Sequence, residues 1–359
     1  MGTWVPGGRF VWRRLVACFL IGWLLVSAIA CGRTPMARSG SFHEVALTLV
    51  TFSVTKAAYA EILPKFAAKW KQETGQTVIF RQSYGASGVQ ARSVIEGLEA
   101  DIVHLALSLD TEKISSAGLI QPGWESEAPY GGIVSKSVAA LVTREDNPKG
   151  IKDWTDLGRD GITWVTADPK TSGGARWNFM ALWNAALQPD RMGQQQIKPV
   201  EDGIAQKMVA QAIQNVPVLA RDAREASDVF IKQGKGDAMI NYENEVILAI
   251  KKGMAMSYTI PPINLSIDNP IAIVDENVDK HGTRKVTEAF LQYLYQPEAQ
   301  IEFAKAGFRP VNPTVANLPE FVRQFPPVRN LAKIQDYGGW AAAQRKFFDD
   351  GAIFDQLRN

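Results

Sequence analysis

Residues 168–183 read DPKTSGGARWNFMALW, with two hydroxyl residues and two glycines set directly before an apolar run at helical spacing. A helix start needs one cap, and Ser172 alone supplies it. Gly173 and Gly174 remove side chains where the first backbone N–H groups point outward, which lets something come close. GASGVQARSVIEGLEA (85–100) repeats the device, with Ser87 among small residues and Val94, Ile95 and Leu98 as the buried face behind it. DAREASDVF (222–230) is a third case, with small Ala223 at the start and Phe230 buried. A helix start offers unpaired N–H donors and roughly half a positive charge. One such start is an ordinary capped helix; several converging on one point make an anion site without any counter-ion side chain.

The surroundings of these donors narrow the anion. Protonated phosphate carries an O–H donor, so its site gains from a carboxylate acceptor, whereas sulfate at neutral pH has no proton to give. TSGGA and GASG contain no acidic residue, and no lysine follows Gly174, so the GxxxxGK[ST] run of a nucleotide-phosphate loop is missing. A small, fully ionised oxyanion is the expected ligand, with phosphate and molybdate as rivals.

Other chemistries find less support. A serine hydrolase needs its nucleophile in G-x-S-x-G with a histidine base, and Gly85-Ala86-Ser87-Gly88-Val89 lacks the last glycine. His43, His104 and His281 show no metal-ligand spacing and read as surface or loop residues. No cofactor, metal or catalytic residue is expected. Glu243 and Glu245 in YENE, without a partnered histidine, read as a solvated or salt-bridged helix start. Trp70, Trp154, Trp177, Trp183 and Trp340 read as packing residues. A net charge of +2 over 359 residues gives no electrostatic case for nucleic acid. Cys18 and Cys31 are the only cysteines, so no disulfide framework is available.

The elements that must position the helix starts alternate. VALTLVTF (45–52) reads as a buried strand, 57–74 as a helix closed by Gly75, and 77–82 as a second strand. A helix over 87–98 and a strand over 102–107 complete a β-α-β-α-β lobe with a largely parallel sheet. The pattern restarts with strands at 138–143 and 162–166 and a helix at 175–187. It continues through 216–219, 226–232, 237–242 and 243–252. All three helix starts follow strands, at the carboxyl edge where ligands of open α/β sheets bind. Pro122, Pro129 and Gly131-Gly132 mark one crossing between halves, and Pro261-Pro262 and Pro270 another. The expected architecture is α/β with two lobes, a cleft between them and a hinge of crossing strands. Lobe 1 takes 44–132 and 262–310, lobe 2 takes 133–261, and 311–359 packs across a lobe, with an amphipathic helix at 341–349.

Arg9, Arg13 and Arg14 precede LVACFLIGWLLVSAIA, an apolar run of about 16 residues, short of the roughly 20 that span a membrane. Residues 1–30 therefore read as a signal peptide and 31–43 as a flexible tether. Ala28-Ile29-Ala30-Cys31 fits ordinary cleavage after Ala30 and fits equally a lipid attached to Cys31.

Four stretches together carry a family resemblance: SYGASGVQARSVIEGLEADIVHLAL, DPKTSGGARWNFMALW, GKGDAMINYENEVILA and YGGWAAAQRKFFDDGAIFDQL. In this combination and order the chain resembles the periplasmic sulfate-binding proteins of ABC transporters, over residues 45–357. The resemblance implies the type II periplasmic binding protein fold and a monomer in the periplasm that delivers sulfate or thiosulfate to membrane permease subunits. It implies backbone N–H donors at Ser87, Gly173, Gly174 and Ala223 and a hydroxyl donor at Ser172. Tyr242 stands where the family usually has a tryptophan indole, Tyr84 where it commonly has histidine. The turn Ser53-Val54-Thr55-Lys56 lacks the family's aspartate, a change that favours thiosulfate. Arg176 and Arg224 are implied to support peptide units whose other ends face the anion; pairing with Asp168 or Glu225 is the alternative.

Overall fold

The computed structural model describes residues 44–188 and 201–358. The signal-peptide and tether stretches, Cys31 and His43 lie outside the described residues. Among the described residues, no helix is long and apolar enough to cross a membrane.

Two five-stranded sheets organise the chain. The first contains β1 (Glu44–Phe52), β2 (Thr77–Gly85), β3 (Ile102–His104), β4 (Ile133–Ser137) and β11 (Ile267–Ile273), in the order β2-β1-β3-β11-β4. The second contains β5 (Ala139–Thr143), β6 (Trp164–Ala167), β7 (Leu219–Ala220), β8 (Ala238–Tyr242) and β9 (Ser257–Thr259), in the order β7-β6-β8-β5-β9. Lobe 1 is built on the first sheet and lobe 2 on the second. A small pair, β10 (Ile263–Leu265) with β12 (Asn330–Ala332), joins the C-terminal stretch to the crossing region.

Register decides where the helix starts emerge. β1 and β2 are parallel with Phe52 opposite Gly85, and β3 runs beside β1 with Thr51 opposite His104. Three strand ends are therefore level, and the chain leaves all three strands at one edge of the sheet. From that edge run α1 (Lys56–Thr74), α2 (Ser87–Ile95) and α3 (Ser108–Ser116). In lobe 2, β6 is parallel to β7 and β8, with Ala167 opposite Ala220. There α4 (Gly173–Leu187), α6 (Ala223–Ile231) and α7 (Glu243–Lys251) start from the same edge, and α5 (Asp202–Gln214) packs against α4.

α1 illustrates how composition makes these elements. Ile62, Leu63, Phe66 and Trp70 recur at helical spacing and are buried, and Gly75 ends the helix at φ +77°, its N–H returning to Lys71 O. α4 differs: residues 173–186 are all buried, so it runs through the middle of the molecule. The core around it is continuous. Trp177 meets Trp340 edge-to-face at 4.5 Å, and Phe179 lies within 6 Å of Phe347, Phe348 and Phe354.

Several expectations need correction. The first crossing does not lie at residue 132, because β4 is bonded to β11 in the first sheet and the chain passes over at Val138. The sheets are mixed, since β11 is antiparallel to β3 and β4, and β5 is antiparallel to β8. The two crossings are stapled together: Asn264 Nδ2 donates to Ala139 O at 2.8 Å, and Ala139 N donates to Asn264 Oδ1 at 3.2 Å. The C-terminal stretch packs on both lobes, with Val315 and Phe321 against Ala304 and Phe347 and Phe348 against α4. Its expected helix over 341–349 is broken, an α-turn at Gly339–Ala343 passing into a π-helical turn at Gln344–Phe348.

His104 is a core residue, not a surface one. Its ring is fully buried, with Nδ1 2.8 Å from Tyr59 Oη and Nε2 3.3 Å from Ser135 Oγ, and burial lowers its pKa to about 3. Of the two readings for Glu243 and Glu245 the salt-bridged one holds: both are buried, and each is tied to an arginine.

Candidate anion-binding site

Six strand-to-helix junctions, three from each lobe, meet at one place. They enclose a small cavity lined by Phe52, Ser53, Gly85, Ala86, Ser87 and Ala106 from lobe 1, and by Ser172, Gly173, Gly174, Asp222, Ala223 and Tyr242 from lobe 2. Its free volume is about 10 Å³, roughly what one water-sized sphere needs, so only a small solute fits.

The donors arise from how each helix is capped. At α2 the N-cap is Ala86, which has no side chain to offer, so the first amides of that helix have no local acceptor. At α4 the Ser172 hydroxyl accepts only the Ala175 N–H, at 3.3 Å, leaving the amides of Gly173 and Gly174. At α6, Asp222 Oδ1 accepts from the amides of Arg224 and Glu225, leaving Ala223. Ser87, Gly173, Gly174 and Ala223 thus all hold first-turn N–H groups without an intrahelical partner, at one cavity. Ser172 retains its hydroxyl proton, since its oxygen serves as acceptor.

Tyr242 closes the far wall. Its hydroxyl is buried and has no hydrogen-bond partner among the described residues. Burial, with Asp110 and Glu245 nearby, raises its pKa well above the usual phenolic value, so it stays protonated and donates.

The glycine pair has a specific steric reason. A Cβ at Gly173 would stand 2.7 Å from Ala106 Cβ and Leu107 Cδ2, both in lobe 1. A Cβ at Gly174 would stand 2.7 Å from the Tyr242 ring in its own lobe. What comes close at the side-chain positions is therefore protein on either side, and both glycines still line the cavity.

Neither arginine lines the cavity. Arg176 is buried; its Nε donates to Pro169 O at 2.8 Å and its Nη1 lies 3.9 Å from Asp110 Oδ1. The N–H of the peptide that Arg176 grips returns to Asp168 Oδ1 at 2.8 Å, so that peptide unit does not point at the cavity. Arg224 pairs with buried Glu245 at 2.8 Å, not with Asp168 or Glu225. Burial raises the Glu245 carboxyl to about 7, with Arg224 opposing the shift.

Phe52, Ser53, Gly85, Ala86, Ala106 and Asp222 were not assigned to the site from sequence. Ser53 could have been, because it follows the first strand just as Ser87 follows the second. Asp222 corrects the expectation of a wall free of carboxylates, although its Oδ1 is turned into its own helix start. No lysine or arginine belongs to the lining, so the positive potential there comes from peptide dipoles.

Residues 47–309 match the profile of bacterial extracellular solute-binding proteins. A sulfate-binding protein of Synechococcus elongatus is 52% identical over 335 residues, 93% of either chain. A thiosulfate-binding protein of Pseudomonas aeruginosa is 32% identical over 92% of this chain and 97% of its own. The solved structure of the sulfate-binding protein SubI from Mycobacterium tuberculosis superposes with a TM-score of 0.74 at 35% identity, covering 85% of this chain and 100% of that one. The fold is that of the type II periplasmic binding proteins. With this extent of identity and this arrangement of helix starts, the chain belongs to the bacterial extracellular solute-binding proteins, within the sulfate-binding proteins of ABC transporters.

Proposed function

We propose that the cleft captures sulfate, and thiosulfate as its near isostere, and that lobe closure presents the anion to an ABC importer. The observation that carries this reading is the Tyr242 hydroxyl: a buried, protonated, unpartnered donor opposite first-turn amides from three helices. Donors alone suit an anion that has no proton to offer. Hydrogen phosphate would bring an O–H for which Asp222 is the one carboxylate in the lining, and Asp222 Oδ1 already accepts two amides.

In this reading Ser87, Gly173, Gly174 and Ala223 give backbone N–H groups, Ser172 and Tyr242 give hydroxyls, and Ser53 adds its place after β1. Arg176 and Arg224 stand outside the lining, one beside Asp110 and the other paired with Glu245. About six charge-assisted bonds at roughly 1.5–3 kcal/mol each give a gross gain near 10–20 kcal/mol. Desolvation and ordering offset much of it. A remainder of about 8 kcal/mol corresponds to micromolar affinity, suited to a scavenging receptor.

The chain performs no chemistry in this reading. Ser87 Oγ donates to Asp110 at 2.7 Å and has no histidine base, and both nitrogens of His104 are engaged elsewhere. The protein works as an exported monomer whose partners are permease subunits, with Cys31 either lipid-bearing or the first residue after plain cleavage. Lobe 1 then spans 44–137 with the strands after 262, and lobe 2 spans 139–259.

Isothermal titration with sulfate, thiosulfate, phosphate and molybdate at neutral pH tests the reading. Sulfate or thiosulfate is expected at micromolar affinity, with phosphate at least about tenfold weaker. Phosphate binding more tightly than either sulfur oxyanion would overturn it.

A further inference from the structure

Behind the cavity the two lobes meet through a carboxylate that does not line it. Asp110, in the first turn of α3, is fully buried. Its Oδ2 accepts the Ser87 hydroxyl at 2.7 Å, and Ser87 Oγ in turn accepts the Ala106 N–H at 3.0 Å. Its Oδ1 lies 3.4 Å from Lys113 Nζ on the same helix and 3.9 Å from Arg176 Nη1 on α4. Ser87, Ala106 and Lys113 belong to lobe 1, whereas Arg176 comes from lobe 2.

Arg176 is only 6% exposed, and its Nη1 has no hydrogen-bond partner among the described residues. Its Nε is fixed on Pro169 O, so the guanidinium moves with lobe 2. The flanking contacts also cross between lobes: Trp177 Nε1 donates to Ala106 O at 2.7 Å, and Gly173 packs on Ala106 and Leu107. At 3.9 Å the Arg176–Asp110 pair is too long for a hydrogen bond. About 1 Å of further approach would make it a charge-assisted one.

Taking the cleft as the anion trap described above, we propose that Asp110 is a positioning residue for it, through which Arg176 couples lobe closure to anion binding. A buried carboxylate one hydrogen bond behind the cavity opposes an incoming dianion. Lys113, exposed and 3.4 Å away, neutralises it weakly. Arg176 adds its charge to that neutralisation only when the lobes meet, so the penalty for binding falls on closing. The same carboxylate holds the Ser87 hydroxyl, which fixes the amide that faces the anion.

The test is a double-mutant cycle read by sulfate titration, with small-angle scattering of the sulfate-free protein beside it. Arg176→Met leaves Asp110 uncompensated and is expected to weaken sulfate binding by about tenfold or more. Adding Asp110→Asn, which still accepts from Ser87, is expected to restore about fivefold of that loss. A merely structural arginine predicts no such rescue, and a double variant as weak as Arg176→Met alone would overturn the proposal. If Arg176→Met does not fold, Arg176→Lys takes its place, because the shorter cation cannot hold Pro169 O and reach Asp110 together. The same rescue by Asp110→Asn then decides. A wild-type chain that binds no oxyanion would refute the functional reading, and scattering would still judge the lobe contact. A larger radius of gyration in the arginine variant supports it, and an unchanged one contradicts it.

Discussion

Ser87 and Ser172 belong to the two helix starts that face each other across the cleft, and their hydroxyls do opposite things. Ser87 is the first residue inside α2; its hydroxyl is saturated by Asp110 and Ala106, which leaves the cavity only its amide. Ser172 sits one position earlier relative to α4, as the N-cap, and its oxygen accepts from Ala175 while its proton remains free. A shift of one residue against the helix frame thus converts a serine from backbone donor to side-chain donor. The glycines after Ser172 sharpen the contrast, because Gly173 abuts lobe 1 and Gly174 abuts Tyr242 within lobe 2.

The largest effect on this comparison is expected from Gly173→Ala. Its Cβ would collide with Ala106 and Leu107 in the other lobe, so closure fails while each lobe folds. Sulfate affinity should fall by about 100-fold, as overpacking of about 2–3 kcal/mol implies, with little change in the anion-free melting temperature. Gly174→Ala, which strikes Tyr242 in its own lobe, should instead lower that melting temperature.

Next comes Tyr242→Phe. Losing a hydrogen bond to a charged ligand, worth roughly 1.5–3 kcal/mol, should weaken sulfate by at least about tenfold in calorimetry. Anion-free stability should hold or rise slightly, because an unpartnered buried hydroxyl is removed. Opposite signs in the two measurements distinguish a ligand donor from a core residue.

The serines themselves should differ more modestly. Ser172→Ala removes a donor and a cap and should weaken sulfate by about tenfold; Ser87→Ala keeps its amide and should cost about threefold. Equal losses would erase the distinction between the two starts.

The smallest expected effect concerns pH. Burial raises the Glu245 carboxyl from 4.5 to about 7, so between those values the folded chain holds a proton that the unfolded chain has released. The stability this contributes is full below the unfolded value and is lost as pH rises through the folded one. Thermal melts of Glu245→Gln should therefore gain on wild type between pH 5 and pH 7.5.

Much of the candidate site's lining was legible because its parts are local. Strand, small residues and helix follow each other within a few positions at 85–88, 171–174 and 222–223, and parallel pairing then brings their ends level. What sequence withheld was long-range. Nothing local says that His104 packs between Tyr59 and Ser135, or that Glu245 rather than Glu225 receives Arg224. The first crossing was misplaced because Gly131-Gly132 looks like a break, yet Ile133–Ser137 pairs with a strand 130 residues later in the chain. Asp110 escaped notice for the same reason: its partners are 23 and 66 residues away.

The most direct measurement is a crystal structure with selenate, the heavier isostere of sulfate, located by anomalous scattering. One selenium peak is expected between the lobes, within hydrogen-bond reach of the amides of Ser87, Gly173, Gly174 and Ala223 and of Tyr242 Oη. A peak held instead by lysine or arginine side chains, or an occupied site outside this cleft, would contradict a dianion held by neutral donors.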